Sequence, residues 1–396
     1  MKILHVIGYI QPEMGYEEHY TAKWQAIIGH NVHFVSSDRI YPFKGIQKED
    51  RIRGTGVFFE SGYKIHRLKT IFEIPFSEIL FVKGIKNKIQ EIKPDIIHIH
   101  GGRCPVQFYA SYLAKKMSIK TVADHHQFEY DIYDYLKRDQ KIKYAILSFL
   151  RNLQEYSIRK LMNLYVYNNA KYVIPVRRMS EQHLLRKLKI NKNKIYFNPL
   201  GVDTEIFKFS KEHRILIRSR MGILKNEILL IHVAGSYNPY KKLDKIIKIL
   251  EDKQLKNIKI LVIGSEKYLT SFNNSKYFKR RLFFISMVSN KKLFEYFSAS
   301  DIAVWLSNYS VSLLEAMACE LPIICPDFLK EDGLIEGNGF FIKKDNINDL
   351  TKQIKKYLLL SKEKIEIMRK KSRKIILSKF SYKILANNLI KLYKSE

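Results

Sequence analysis

Ser310-Val311-Ser312-Leu313-Leu314-Glu315-Ala316-Met317-Ala318-Cys319 followed by Glu320-Leu321-Pro322-Ile323-Ile324-Cys325 reads as a small-residue turn, a helix start and then a buried strand. One carboxylate, Glu315, falls near the start of that helix. A helix N-terminus offers unpaired backbone N–H groups and a partial positive charge to an anion, while an acid one turn in accepts hydrogen bonds from sugar hydroxyls. The pair suits a nucleotide-sugar diphosphate. A capped surface helix, whose acid only favours its own dipole, is the competing reading of the same residues.

Such a segment needs a scaffold that ends strands and starts helices at one edge. Apolar, β-branched runs recur at Ile3–Ile7, Val32–Ser36, Asp95–His100, Thr121–Asp124, Tyr172–Val176 and Lys194–Asn198, with helical stretches between them. A second series follows at Ile228–Ala234, Ile258–Gly264, Leu282–Ile285, Asp301–Leu306, Leu321–Cys325 and Gly339–Ile342. These predict buried parallel strands in two doubly wound α/β units, split by the Pro/Gly break Asn198-Pro199-Leu200-Gly201-Val202-Asp203. Expected domains are 1–200, 201–379 and a packed terminal helix over 380–396. Ligands of open parallel sheets sit at the carboxyl ends of the strands, which predicts a site in a cleft between the two units.

The ordered motifs resemble the retaining glycosyltransferases of family 4, with the two-Rossmann GT-B fold. The likeness runs from Met1-Lys2-Ile3-Leu4-His5-Val6 and the loop Pro12–Glu18, through Gly29-His30-Asn31-Val32 and Pro94-Asp95-Ile96-Ile97-His98-Ile99-His100. It continues with Asn198 to Phe207 and closes on Leu313 to Pro322. Each motif is weak, but five in the right order are specific.

The resemblance implies a donor-binding second unit and an acceptor-binding first one. In Gly235-Ser236-Tyr237-Asn238-Pro239-Tyr240-Lys241, the lysine falls where the family neutralises the diphosphate, and Ser236 stands where the family usually has Arg. Lys242 is a candidate replacement for that missing cation. Glu315 matches the second acid of the family's Glu-x7-Glu motif, which contacts the ribose. The first acid falls at Ser307, a departure from the pattern. Ser310, Val311, Ser312 and Leu313 are expected to present backbone and hydroxyl donors to the diphosphate. Val288, in the loop Ile285–Asn290, is expected near the base, and Gly15 and Tyr16 in the loop that approaches donor and acceptor. His126, after the Thr121 strand, is the implied histidine of the sugar-transfer pocket, with His125 as its competitor. Adjacent residues leaving a strand point opposite ways.

His98 and His100, two apart on one strand, share a face, and no third ligand of suitable spacing joins them in sequence. Core or cleft packing is therefore expected there. The chain has no Asp-x-Asp pair, the motif with which metal-dependent transferases hold a cation and diphosphate. No metal and no cofactor are expected, and Lys241 with the helix start is left to stabilise the departing diphosphate. No nucleophilic carboxylate presents itself, so the resemblance implies front-face retention. The catalytic set read from sequence is His126, Lys241 and Glu315.

The chain carries 70 Lys+Arg against 39 Asp+Glu, a net charge of +31, with 13% aromatic residues. The excess divides almost evenly between the two halves. A diffuse excess fits an anionic leaflet or a polyphosphate substrate better than nucleic acid, which favours a basic-aromatic stripe. No nucleic-acid motif occurs, and biased coding in a chain rich in Lys and Ile is the competing account of the charge. Lys137-Arg138-Asp139-Gln140-Lys141-Ile142-Lys143, beside the apolar run Tyr144 to Leu150, predicts a peripheral membrane contact, or else an ordinary core helix. Three cysteines without Cys-x-x-Cys spacing, no signal-peptide pattern and no long apolar run point to the cytoplasm. The expected activity is sugar transfer to a lipid-linked or polysaccharide acceptor at the inner membrane face. A nucleotide-sugar epimerase or hydrolase of the same fold is the alternative.

Overall fold

The computed structural model describes residues 1–41, 49–74, 79–126, 158–235, 243–269, 275, 277–306 and 310–395. Two units form, one of Met1–Leu200 with Leu385–Glu396 and one of Gly201–Ile384. Ser236, Lys241, Lys242, Ser307 and the whole of Lys137–Lys143 lie outside the described residues.

The first unit contains β1 (Lys2–Val6), β2 (Asn31–Ser37), β3 (Gly56–Glu60), β4 (Tyr63–Leu68), β5 (Thr70–Ile74), β6 (Ile79–Val82), β7 (Ile96–Ile99), β8 (Lys120–His125) and β9 (Tyr172–Pro175). Seven of these make one sheet in the order β3-β4-β2-β1-β7-β8-β9. Its strands are parallel except for the β3–β4 pair. Side chains of β1 alternate across the sheet as the pleat requires. Ile3 joins Phe34, Ile65 and Ile96 on one face, where the C-terminal helix Tyr382–Lys394 adds Leu389 and Tyr393. Leu4 and Val6 join Ile97, Ile99, Val106 and Ala110 on the other. Burial on both faces is why β7, Ile-Ile-His-Ile, has no polar-out alternation.

Two features differ from the sequence expectation. Lys194–Asn198 is not a strand; only Ile195 bridges Val173, and Pro199 closes the segment with a residue that has no N–H to donate. In addition, β3–β4 and β5–β6 are antiparallel hairpins that the buried-strand pattern passes over. The first turns on Ser61 and Gly62, at φ 46° and 90°, the left-handed pair of a tight hairpin turn.

The second unit contains β10 (Ile228–Gly235), β11 (Ile258–Gly264), β12 (Leu282–Ser286), β13 (Ile302–Val304), β14 (Ile323–Pro326) and β15 (Gly339–Ile342), in the order β12-β11-β10-β13-β14-β15, all parallel. The chain winds outward from β10 to β12, then returns beside β10 with β13 and winds the other way. That reversal places a topological switch point between β10 and β13, where a crevice opens at the carboxyl ends. In the first unit the same reversal falls between β1 and β7. The candidate functional residues gather at these two places.

Candidate functional site

At the switch point of the second unit, β10 ends on Gly235 at φ 58°, a left-handed turn that glycine makes without steric cost. Beside it Gly264 ends β11, and a Cβ there would meet Ala234 Cβ at 3.0 Å and the Gly235 carbonyl at 3.1 Å. The strand ends therefore pack at backbone distance.

From β13 the chain reaches the helix Val311–Ala318, whose residues Ser312 to Ala318 are all buried. Ser310 precedes it in extended conformation, and no side chain caps the first turn. The Ser310 hydroxyl instead meets the Ser312 hydroxyl at 2.7 Å. Helix-start N–H groups thus keep their capacity for an anion, with Val311 half-buried ahead of the apolar Leu313. Glu315, 4% exposed, accepts a 2.7 Å hydrogen bond from Asn290 Nδ2. Burial pushes its carboxyl up to about 7, and the Asn290 bond works against that rise. Asn290 begins the turn after β12, so the half-buried Val288 lies on a loop tied directly to Glu315. Sequence reading did not single out Asn290; it stands 25 residues from Glu315 with no local signature.

In the first unit, Gly15 at φ 65° turns the chain after Pro12–Met14, and Tyr16 leads into the helix Glu17–Ile27. A cavity of about 380 Å³ opens here, lined among others by Gly8, Tyr16, Glu18, His100, Arg103 and His126. His126 has 45% of its side chain exposed, and its Nε2 lies 3.4 Å from Glu17 Oε2. His125 is turned inward and fully buried, between the Tyr167 hydroxyl and His183 Nδ1, each at 2.9 Å. The two histidines thus leave β8 in opposite directions.

Beneath the cavity, six side chains close a buried ring. His5 Nε2 meets Gln25 Oε1 at 2.7 Å, and His5 Nδ1 meets His100 Nε2 at 2.8 Å. Asp124 stands 2.7 Å from His100 and 2.8 Å from His98. Tyr393 on the C-terminal helix completes the circuit by bonding His98 and Gln25. Burial would raise the Asp124 carboxyl, but His98 and His100 together hold it well below the ordinary range. The sequence reading that no third ligand joins His98 and His100 is corrected here. His5, from the neighbouring strand, brings a third ring nitrogen within 4.8 Å, and Glu17, Asp124 and His126 form a second such group. In the first group the nitrogens already bond one another or Asp124, Gln25 and Tyr393, so packing and hydrogen bonding account for them.

The profile described as Glycosyl transferases group 1 matches residues 215–375, and that of Glycosyltransferase Family 4 matches residues 19–206. The chain is 23% identical over 316 residues to alpha-monoglucosyldiacylglycerol synthase of Acholeplasma laidlawii, covering 74% of this chain and 73% of that one. It is 24% identical over 262 residues to alpha-galactosylglucosyldiacylglycerol synthase of Streptococcus pneumoniae, covering 62% and 64%. Among solved structures, sucrose-phosphate synthase of Thermosynechococcus elongatus superposes with a TM-score of 0.70 at 15% identity, over 99% of this chain and 98% of that one. HepE of Anabaena, in complex with UDP and glucose, does so at 0.68 and 14%, over the full length of both. The two profiles follow one another along the chain as the two sheets do, and the chain belongs to the family 4, group 1 glycosyltransferases of GT-B fold.

Proposed function

We propose that the protein moves a sugar from a nucleotide-sugar donor to a lipid-linked or glycan acceptor at the cytoplasmic membrane face, with retention and without a metal ion. The observation that carries this reading is Glu315, a buried acid just inside an uncapped helix start at the switch point, joined to the base-side loop by Asn290. In this reading Glu315 takes the ribose hydroxyls, and Gly235 with Ser236 and Ser310 to Leu313 surrounds the diphosphate. Lys241 offsets the charge that grows on the diphosphate as the anomeric bond breaks. The acceptor hydroxyl attacks from the face the diphosphate leaves, and His126 lines the cavity in the first unit. Two relatives are named as glycolipid synthases, which supports a glycerolipid or glycolipid acceptor.

The test incubates the enzyme with UDP-glucose or UDP-galactose and 1,2-dioleoylglycerol in phosphatidylglycerol vesicles, with and without excess EDTA. An α-linked glycolipid, identified by proton NMR and formed at the same rate in EDTA, is expected. A β-linked product overturns retention. Activity lost in EDTA and restored by magnesium or manganese overturns metal independence. Donor conversion without acceptor at the full rate makes the protein an epimerase or hydrolase.

A further inference from the structure

Among the described residues, β3 and β9 are the two edges of the first unit's sheet. The β9 edge is covered: Ile195 bridges Val173, and the Tyr196 N–H donates to the Val173 carbonyl at 3.0 Å. No backbone hydrogen bond among the described residues reaches the outer side of β3. Its two-residue turn makes Glu60 and Tyr63 exchange hydrogen bonds, so Phe58 with Ile65 and Gly56 with Arg67 do the same. Val57 and Phe59 therefore turn their N–H and C=O groups to the open edge. Edge strands are commonly blunted by Lys, Pro or a bulge, and Gly-Val-Phe-Phe-Glu has none of these.

We propose that β3 is a self-association edge, pairing antiparallel with β3 of a second copy about a two-fold axis at Phe58, so that two seven-stranded sheets become one. This stands apart from the transfer reading. The register follows from the backbone. Gly54 and Gly56, at φ 76° and 138°, turn the chain before Val57, and Ser61 and Gly62 turn it after Glu60, so the outward groups belong to Val57 and Phe59. With the axis at Phe58, the Val57 N–H donates to the Phe59 carbonyl of the second copy, and that copy's Phe59 N–H donates to the Val57 carbonyl. Symmetry repeats the pair on the other side of the axis. An axis at Phe59 would set Val57 against the turn, and an axis at Val57 would set Phe59 against Thr55, between the two bent glycines.

The side chains agree with that register, since successive residues face opposite ways. On the open face Val57 and Phe59 are 49% and 77% exposed. The axis sets each directly opposite the other residue of the second copy, an aromatic side chain against a β-branched one. On the inner face Phe58 packs against the core that holds Ile65, with the Arg67 guanidinium 4.3 Å from its ring centre. In that row Glu60 of the second copy lies opposite Gly56, and Gly56 lies opposite Arg67. Gly56 has no side chain to intervene, and two strand spacings of about 4.8 Å each are within the combined reach of Glu and Arg. The acid of each copy thus meets the cation of the other. A ladder this short makes a small interface and a weak, concentration-dependent dimer.

Sedimentation velocity of the full chain tests this. Wild type is expected to sediment as a dimer at about 100 µM and as a monomer at about 1 µM, the range open to a small interface. Val57→Pro removes an outward N–H that β4 does not use, and Glu60→Lys sets like charges across Gly56. Each is expected to weaken association about tenfold or more, with the melting temperature of the dilute monomer close to wild type. Phe58→Cys reads the register: across the axis its counterpart stands at a Cα separation of about 4.5 Å, so mild oxidation should cross-link the two copies. Phe59→Cys, two residues along the ladder from its own counterpart, should not cross-link. A wild type that stays monomeric at about 100 µM overturns the proposal. So does a dimer that Val57→Pro and Glu60→Lys leave as tight as wild type, or one that cross-links through Phe59→Cys and not through Phe58→Cys.

Discussion

Glu315 and Asn290 act as one unit, and their pairing has opposite consequences for binding and for folding. In the proposed donor site ribose hydroxyls would bond most strongly to the ionised carboxylate, so UDP affinity is expected to rise with pH through about 7 and to flatten above it. Removing the charged acceptor by Glu315→Gln costs on the order of 1.5–3 kcal/mol of UDP binding, measured by calorimetry. For folding the sign reverses. A carboxyl raised in the folded state stabilises fully below its unfolded value near 4.5, and that contribution is lost as pH rises through about 7. Ligand-free Glu315→Gln should therefore melt higher than wild type above neutrality and not at mildly acidic pH. Asn290→Ala removes the bond that opposes the rise, and the onset of UDP affinity moves to higher pH. Unchanged UDP affinity in Glu315→Gln removes Glu315 from the site; an unmoved onset in Asn290→Ala leaves Asn290 a loop tether only. Glu315 is readable in sequence because a helix start and one acid are local features. Asn290 is not, because only the crossover from β12 to β13 brings it there.

At the scale of elements, the legible strands are those buried on both faces. Ile96 to Ile99 and Ile258 to Gly264 read as apolar runs, interrupted only by His98 and Lys259, because both sides of the sheet are covered. The β3–β4 hairpin escapes that pattern because its edge strand is largely exposed, with Phe59 at 77%. The buried ring escapes it too: His5, Gln25, His98, His100, Asp124 and Tyr393 come from five separate elements, and sequence pairs only His98 with His100. Its structural role is to fasten the C-terminal helix, since Tyr393 bonds both His98 and Gln25. Tyr393→Phe keeps the ring shape and leaves two buried polar groups without a partner, so a loss of about 1–3 kcal/mol in urea unfolding is expected. Lys391→Ala, at an exposed position of the same helix, is the control and should stay within about 0.5 kcal/mol of wild type. Equal stability of Tyr393→Phe and wild type would mean that apolar contacts of Leu389 and Leu392 hold the helix without the ring.

For the whole molecule, the question is how a chain of net charge +31 would reach the lipid-borne acceptor of the proposed reaction. No helix among the described residues is long and apolar enough to cross a membrane, and the proposed reading calls for a surface contact. Two terms contribute to such a contact. Each basic residue near an anionic leaflet adds about 1 kcal/mol, an attraction that decays over about 8 Å at physiological salt. Shallow insertion of apolar side chains adds a salt-independent part. Among the described residues of the first unit, Phe72 and Phe81 on the β5–β6 hairpin are 53% and 47% exposed, with Ile71 at 66%. Lys137, Arg138, Lys141 and Lys143 supply a basic cluster in the same unit's sequence. Co-sedimentation should therefore show the protein pelleting with phosphatidylglycerol vesicles but not with phosphatidylcholine, less as salt rises. Neutralising those four basic residues should release it at physiological salt. A double change, Phe72→Ser with Phe81→Ser, should remove the residue that stays bound at high salt. If the four-residue variant pellets as wild type does, the attraction belongs to the charge spread over both units and the basic cluster is not the contact. If the protein ignores anionic vesicles altogether, its charge reflects composition, and the acceptor must be delivered in soluble form.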